Sequence, residues 1–170
     1  RLVVLGGDPF AEILWEFGGR WCTSAEYRQA MFGALASRPL FSFDRDTEGA
    51  WQRGCNAPGS PAGVAWEADG AEGGCLAVSI ANLTGWETFQ HPIPPGAIPP
   101  EHTWLTLQLE ADAQTPQVAV EIRETDGSRW IATVPVTREW QGIALPSSAF
   151  RYWHDSTSEG RGGAGDQPVL

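Results

Sequence analysis

Residues 118–136, VAVEIRETDGSRWIATVPV, carry the pattern that decides the fold. Apolar and polar side chains alternate on both sides of Asp126-Gly127, with Val118, Val120 and Ile122 before the turn. Trp130, Ala132, Val134 and Val136 continue the alternation after it. Strict alternation puts every second side chain on one face of a strand, and Asp-Gly is a strong signal for a hairpin turn. The stretch predicts two antiparallel strands that bury one face.

The same alternation recurs on both sides of this hairpin. Its apolar positions are Leu76, Val78 and Ile80, then Leu105, Leu107 and Leu109, and later Ile143 and Leu145. Turn residues bound each run, and the Gly/Ser-rich residues 156–166 are expected to form a mobile loop. Six or more such strands without helices predict a mainly β fold, an antiparallel two-sheet β-sandwich over residues 39–170.

Residues 1–38 follow a different pattern. Leu2 to Leu5 is a short β-type run followed by Gly6-Gly7, and Ser24 to Leu35 is compatible with a helix. Strand, glycine turn and helix predict a short N-terminal α/β segment, a remnant of an upstream domain or a linker. The chain starts at Arg1 without a signal peptide and stops in an apolar pair, so we expect both ends to be cuts in a longer polypeptide.

Composition limits the classes of partner. The net charge is −10, from 21 acidic residues against 11 arginines and no lysine, and an acidic surface repels phosphate backbones and anionic lipids. No apolar run is long enough to cross a bilayer. We therefore expect neither nucleic-acid nor membrane binding.

Three cysteines cannot all pair: Cys55 and Cys75 can form a disulfide in an oxidising compartment, and three separate buried thiols are an equal alternative.

Two phrases of the sequence resemble a known family. They are Phe41-Ser42-Phe43-Asp44 with Asp46 to Trp51, and Trp140-Gln141-Gly142-Ile143-Ala144-Leu145-Pro146 followed by Phe150. With the order of strands between them, they resemble the β-jelly-roll carbohydrate-binding modules of the galactose-binding-like group. Such modules end with one or two further strands, so the resemblance implies a jelly roll incomplete at its C-terminus. Leu2 to Phe10 and Trp21 resemble the tail of a flavodoxin-like or amidotransferase-like domain, without its catalytic residues.

The resemblance implies a non-catalytic domain that binds a polysaccharide or oligosaccharide. Its partner would be the catalytic domain of a glycoside hydrolase, secreted or periplasmic, and the lysine-free, Ala/Gly/Arg-rich composition suggests a bacterial gene. The alternative function is a structural sandwich that packs against a catalytic domain or partner chain and binds no sugar. Exposure of two or more tryptophans would favour the binding module.

The sugar-binding candidates are aromatic rings and outward polar side chains. Trp86, in a Gly/Thr-rich loop, and Trp153 are candidates for stacking on a pyranose, although Trp86 can equally cap the edge of the sandwich. Gln108, Glu121 and Arg123 occupy outward positions and would bind hydroxyl groups. The alternative for each of these three is an ordinary solvated sheet face.

Metal binding and catalysis have fewer candidates. Asp44, Asp46 and Glu48 place three carboxylates near one turn, which suits a structural calcium ion, and a solvated acidic turn is the alternative. His91, His102 and His154 lack metal-ligand spacing, and no nucleophile motif occurs. Glu110 and Glu121 as paired hydrolytic carboxylates are discounted because 21 acidic residues produce such pairs by chance.

Overall fold

A computed structural model describes the backbone of residues 2–4, 13–17, 20–23, 39–43, 50–71, 73–98 and 104–169, and side chains from residue 39 onward within these ranges. The chain divides into two compact units, Arg1–Leu40 and Phe41–Leu170. No helix among the described residues is long and apolar enough to cross a membrane.

The first unit contains three short strands in an antiparallel sheet of order β1-β2-β3. They are β1 (Leu2–Val4), β2 (Ile13–Phe17) and β3 (Arg20–Thr23). The strand expected from residue 2 is confirmed, but its neighbours are antiparallel strands, and no α/β segment is seen in the part of this unit that is described. The sequence pattern missed β2 and β3 because each is too short to show alternation. The helix expected over residues 24–35 lies outside the described residues.

The described residues of the second unit form nine strands, which confirms that the fold is mainly β. They are β4 (Gln52–Cys55), β5 (Ala62–Gly70), β6 (Gly73–Ile80), β7 (Glu87–Gln90), β8 (Trp104–Leu109), β9 (Gln117–Arg123), β10 (Arg129–Pro135), β11 (Gln141–Pro146) and β12 (Arg151–Tyr152). All pair antiparallel, in a three-stranded sheet of order β12-β10-β9 and three two-stranded sheets, β8–β11, β4–β7 and β5–β6.

The predicted hairpin is β9–β10, and it supplies the core. Val118 pairs with Val134, and Ile122 pairs with Trp130, so the apolar positions of both strands share one face. The loop between them has Gly127 at φ +91°, a backbone conformation that favours glycine. Side chains of β8 and β11 pack against the same face. The buried residues of this core are Trp130, Ala132, Val134, Val136, Leu145 and Phe150.

The hairpin β5–β6 does not bury its apolar face in the way that its alternation predicts. Val64 pairs with Val78 and Ala62 with Ile80, yet Val78 remains 47% exposed and Ile80 39% exposed. The hairpin pairs with no third strand among the described residues. The exposure of Val78 and Ile80 shows that this end of its apolar stripe is left largely uncovered. Cys75 of β6 and Cys55 of β4 are both free thiols.

The segment after β12 is attached to the β9–β10 loop, and we call residues 156–169 the C-terminal arm. The backbone N–H of Thr157 donates to the carbonyl of Gly127 at 3.1 Å, and the N–H of Val169 donates to the Glu124 carboxylate at 2.9 Å. Arg161 in the arm forms ion pairs with Glu124 at 3.2 Å and with Asp126 at 3.0 Å. The expected loop therefore makes specific contacts with the core hairpin.

Candidate ligand-binding surface

The five predicted sugar-binding residues lie on three different surfaces. Glu121 and Arg123 belong to β9, and Trp153 directly follows β12 in the same sheet. Gln108 belongs to β8 in another sheet, and Trp86 lies in the loop before β7. The structure thus brings three of the five together.

Register defines the surface on which the three lie. Trp130 is buried at 1% exposure and pairs with Ile122 and Tyr152, so these residues point toward the core. Neighbouring side chains along a strand point to opposite faces of the sheet, and the positions on either side of Trp130 therefore point outward. We call this outer surface the arginine face, after Arg123, Arg129 and Arg151, and it also carries Glu121, Ile131 and Trp153.

Arg129 is fixed at the centre of the arginine face. Its Nε and Nη2 donate to the two carboxylate oxygens of Glu121, at 2.7 and 3.0 Å, and its Nη1 donates to Asp155 at 3.3 Å. The hydrogen bonds that Arg129 donates to Glu121, more than the nearby charge of Asp155, raise the pKa of Arg129. Such a two-pronged pair holds the guanidinium plane in one orientation. Both oxygens of Glu121 are engaged in the same pair.

Arg123 and Arg151 lie on the two outer strands of the sheet and are less constrained. The Arg123 side chain is 58% exposed, and its Nη2 lies 3.8 Å from Glu121. Arg151 is also exposed, and its side chain forms no hydrogen bond or ion pair with any described residue. Two guanidinium groups on this face therefore retain donors for a ligand.

Trp153 is anchored through its backbone while part of its ring stays in solvent. Its N–H donates to the carbonyl of Arg129 at 2.8 Å, and its carbonyl accepts the Ser156 hydroxyl at 2.6 Å. The indole packs against the His154 ring, with centroids 4.5 Å apart, and His154 Nε2 lies 2.8 Å from Asp155. These contacts place a preformed aromatic surface beside the arginine row.

Gln108 lies on a second surface with a tryptophan that the sequence analysis did not single out. Trp104, Thr106 and Gln108 alternate along β8 with the leucines that pack on the core, so they point away from it. Small residues face them on β11, where Gly142 pairs with Gln108 and Ala144 with Thr106. The signal that was missed is the alternation of the leucines. Extended by one residue toward the N-terminus, it places Trp104 on the outer face.

Trp86 lies on a third surface, where Asn56 holds its backbone. The N–H of Trp86 donates to the side-chain oxygen of Asn56 at 2.9 Å, and the N–H of Asn56 donates to the Trp86 carbonyl at 3.4 Å. A Cβ added to Gly54 would lie 3.7 Å from the indole, so the ring packs over that glycine. The remainder of the ring is exposed.

Two further sites were considered from the sequence, a calcium site and a hydrolytic pair of carboxylates. Asp44, Asp46 and Glu48 lie outside the described part of the chain, so the calcium site stays a prediction. No group of three His, Cys, Asp or Glu suitable for a metal occurs among the described residues. An open cleft of about 500 Å³ is lined by residues 110–114 and Arg138 and does not include Glu121. Glu110 and Glu121 therefore do not share this cleft as a catalytic pair.

The chain was compared with known protein families, curated proteins and solved structures. No protein-family model, no curated protein and no solved structure matches the chain.

Proposed function

We propose that this chain is a non-catalytic carbohydrate-binding domain that serves a polysaccharide-active, secreted enzyme. The observation that carries the proposal is the exposure of three tryptophans: Trp86 is 53%, Trp104 45% and Trp153 37% exposed. An indole left in water forgoes the stabilisation of burial, which is about 25 cal/mol per Å² of apolar surface. Retaining three of them suits a protein whose ligand covers the rings.

The fold supports this function by presenting the rings on regular surfaces. In the proposal, the β9–β10–β12 and β8–β11 sheets are the two layers of a jelly-roll sandwich, because apolar side chains of both contribute to one core. Aromatic rings on such faces stack on the CH groups of a pyranose, and neighbouring polar groups bind its hydroxyls. The arginine face is the main site, since three of the predicted residues meet there.

A titration of intrinsic tryptophan fluorescence with soluble polysaccharides tests the function. The panel contains plant, algal and bacterial glycans, each added with and without calcium. We expect a saturable shift for at least one glycan that is lost in Trp153→Ala. Trp104→Ala and Trp86→Ala report whether the other two surfaces contribute. Leu83→Ala is the matched control, because Leu83 is an exposed apolar residue without an aromatic ring, in the same loop as Trp86.

Packing against a catalytic domain is the second candidate function, and the stripe on β5–β6 favours it. Val78 and Ile80 point outward from a hairpin whose apolar face is only half covered, which is typical of a protein interface. If the folded protein gives no fluorescence response to any glycan of the panel, this function replaces carbohydrate binding. Under the packing function, Val78→Ser with Ile80→Ser would weaken association with the catalytic domain and leave the fold of the isolated chain intact.

A further inference from the structure

We infer that the arginine face recognises an anionic sugar, specifically the carboxylate of a uronic acid residue in a polysaccharide. This inference rests on the proposed carbohydrate-binding function and specifies its ligand. Arg123 and Arg151 bind the carboxylate groups of the chain, while a pyranose ring stacks on Trp153.

The charge of this face contrasts with the charge of the whole protein. The chain has a net charge of −10, yet three of its 11 arginines lie on one face of one sheet. Among the described residues, the acidic groups paired with them are Glu121 and Asp155. Three positive charges against two negative ones leave a local excess of one positive charge on an otherwise acidic molecule. A neutral glycan would not require such a concentration of arginine.

The arrangement of the arginines suits a polymer with a repeated charge. Adjacent strands lie about 4.8 Å apart, so Arg123 on β9 and Trp153 beyond β12 are separated by about 10 Å across the sheet. Arg151 lies on the same side as Trp153, two residues earlier in the chain. A uronate chain laid across the strands would meet guanidinium groups on both outer strands and the indole at one of them.

The chemistry of the guanidinium group favours a carboxylate. The planar group donates two parallel hydrogen bonds to a carboxylate, which matches its geometry better than the single contacts that a hydroxyl accepts. Arg129 already makes this pair with Glu121, at 2.7 and 3.0 Å. In this inference Glu121 is a positioning residue that holds Arg129; its binding of sugar hydroxyls stays a prediction. Arg123 and Arg151 have the same chemistry without that partner.

Isothermal titration calorimetry with three probes tests the inference: polygalacturonate, its fully methyl-esterified form and a sulfated galactan. The esterified polymer keeps the sugar backbone and removes the charge, while the galactan carries sulfate in place of carboxylate. We expect binding of polygalacturonate alone. Arg123→Gln and Arg151→Gln should each weaken it by about tenfold, the usual loss for a charge-assisted hydrogen bond. Arg138→Gln removes the same charge from an exposed site elsewhere and should leave the affinity unchanged.

Each other outcome has a distinct meaning. Equal binding of the esterified polymer, or equal weakening in Arg138→Gln, overturns recognition of the anion but leaves the carbohydrate-binding function standing. Binding of the sulfated galactan alone overturns the carboxylate assignment. If no polysaccharide in this set or in the fluorescence panel binds to the folded protein, the proposed function itself fails. Arginine-to-glutamine changes at exposed positions leave the core untouched, and circular dichroism verifies the fold of each variant.

Discussion

Trp130 joins the hydrophobic core to the charged groups around it. Its indole N–H donates to the Glu124 carboxylate, and its ring meets Tyr152 edge-on with centroids 5.3 Å apart. The guanidinium of Arg161 lies 5.4 Å from the ring centroid, in cation–π geometry. The side chain is therefore held by apolar packing, a hydrogen bond and a cation at the same time.

Truncation of Trp130 should remove these contacts together. We expect Trp130→Ala to lower the free energy of unfolding by about 3–5 kcal/mol, because it leaves a cavity in the core. Trp130→Phe should lower the free energy of unfolding by less, because it keeps an aromatic ring in the core. It still loses the hydrogen bond from the indole N–H to Glu124. Urea unfolding followed by circular dichroism measures both. Trp104→Ala, at an exposed position, should change stability far less, and a similar loss there would contradict this account of the core.

Local pattern was sufficient to identify some residues of the site and not others. Glu121 and Arg123 were assigned to the outer face of β9 by alternation alone, which the register confirms. Trp104 obeyed the same rule and was missed, because it stands one position before the leucine run. The pairing of Glu121 with Arg129 could not be predicted, since it joins two strands and depends on which side chains cross the sheet.

Among the elements, the contact between the C-terminal arm and the β9–β10 loop depends on carboxylates. Asp166 accepts hydrogen bonds from Arg161 and from the Gly162 N–H, and both keep its pKa below the ordinary value of 3.8. Hydrogen bonds from Ser128, and then from Arg161, lower the pKa of Asp126. A carboxyl group with a lowered pKa in the folded state stabilises that state above its unfolded pKa. The contribution disappears as pH falls through the folded value.

The arm contact should therefore weaken in acid, below about pH 3.8, and be constant above about pH 5. We expect Asp166→Asn to lower the thermal midpoint at pH 7 and to make its decrease between pH 5 and pH 2.5 shallower. Glu159→Gln, also in the arm and exposed, is the matched control and should follow the parent curve. An Asp166→Asn curve parallel to that of the parent would show that this ion pair contributes nothing to the acid dependence.

Elements with long alternation were predictable, and short ones were not, apart from β1, which is a continuous apolar run. The runs that became β6, β8, β9, β10 and β11 each have at least two apolar residues at period two. The strands β4, β7 and β12 have four residues or fewer, and partners distant in sequence stabilise them. For β6 the pattern was correct but burial did not follow, because burial requires a covering element that alternation cannot specify.

For the whole molecule, the buried core found among the described side chains lies in the second unit. Its six buried apolar residues fall between Trp130 and Phe150, and the half-buried side chains packed on them start at Leu105. A chain of residues 41–170 therefore contains every side chain of this core. Which sheets share a core is a long-range property, and so the sequence predicted strands better than it predicted their layers.

We expect the shortened chain of residues 41–170 to unfold cooperatively in urea. Its Trp130 environment should match that of the full chain, as seen in the near-ultraviolet circular dichroism spectrum. The denaturant slope should be smaller, because fewer residues become exposed on unfolding. A broad, non-cooperative transition would show that the second unit needs residues 1–40 to hold its core.

The arm has a consequence for the order in which the molecule assembles. Arg161 and Val169 contact residues that precede them by 35 and 45 positions, respectively, and those residues belong to a loop that β9 and β10 must first close. During synthesis the hairpin leaves the ribosome before the arm, which has no site to bind until the hairpin exists. Its docking is therefore a late event in folding. The same contacts are expected to open first under stress, exposing the face of the Trp130 ring that Arg161 covers while the sheets remain paired.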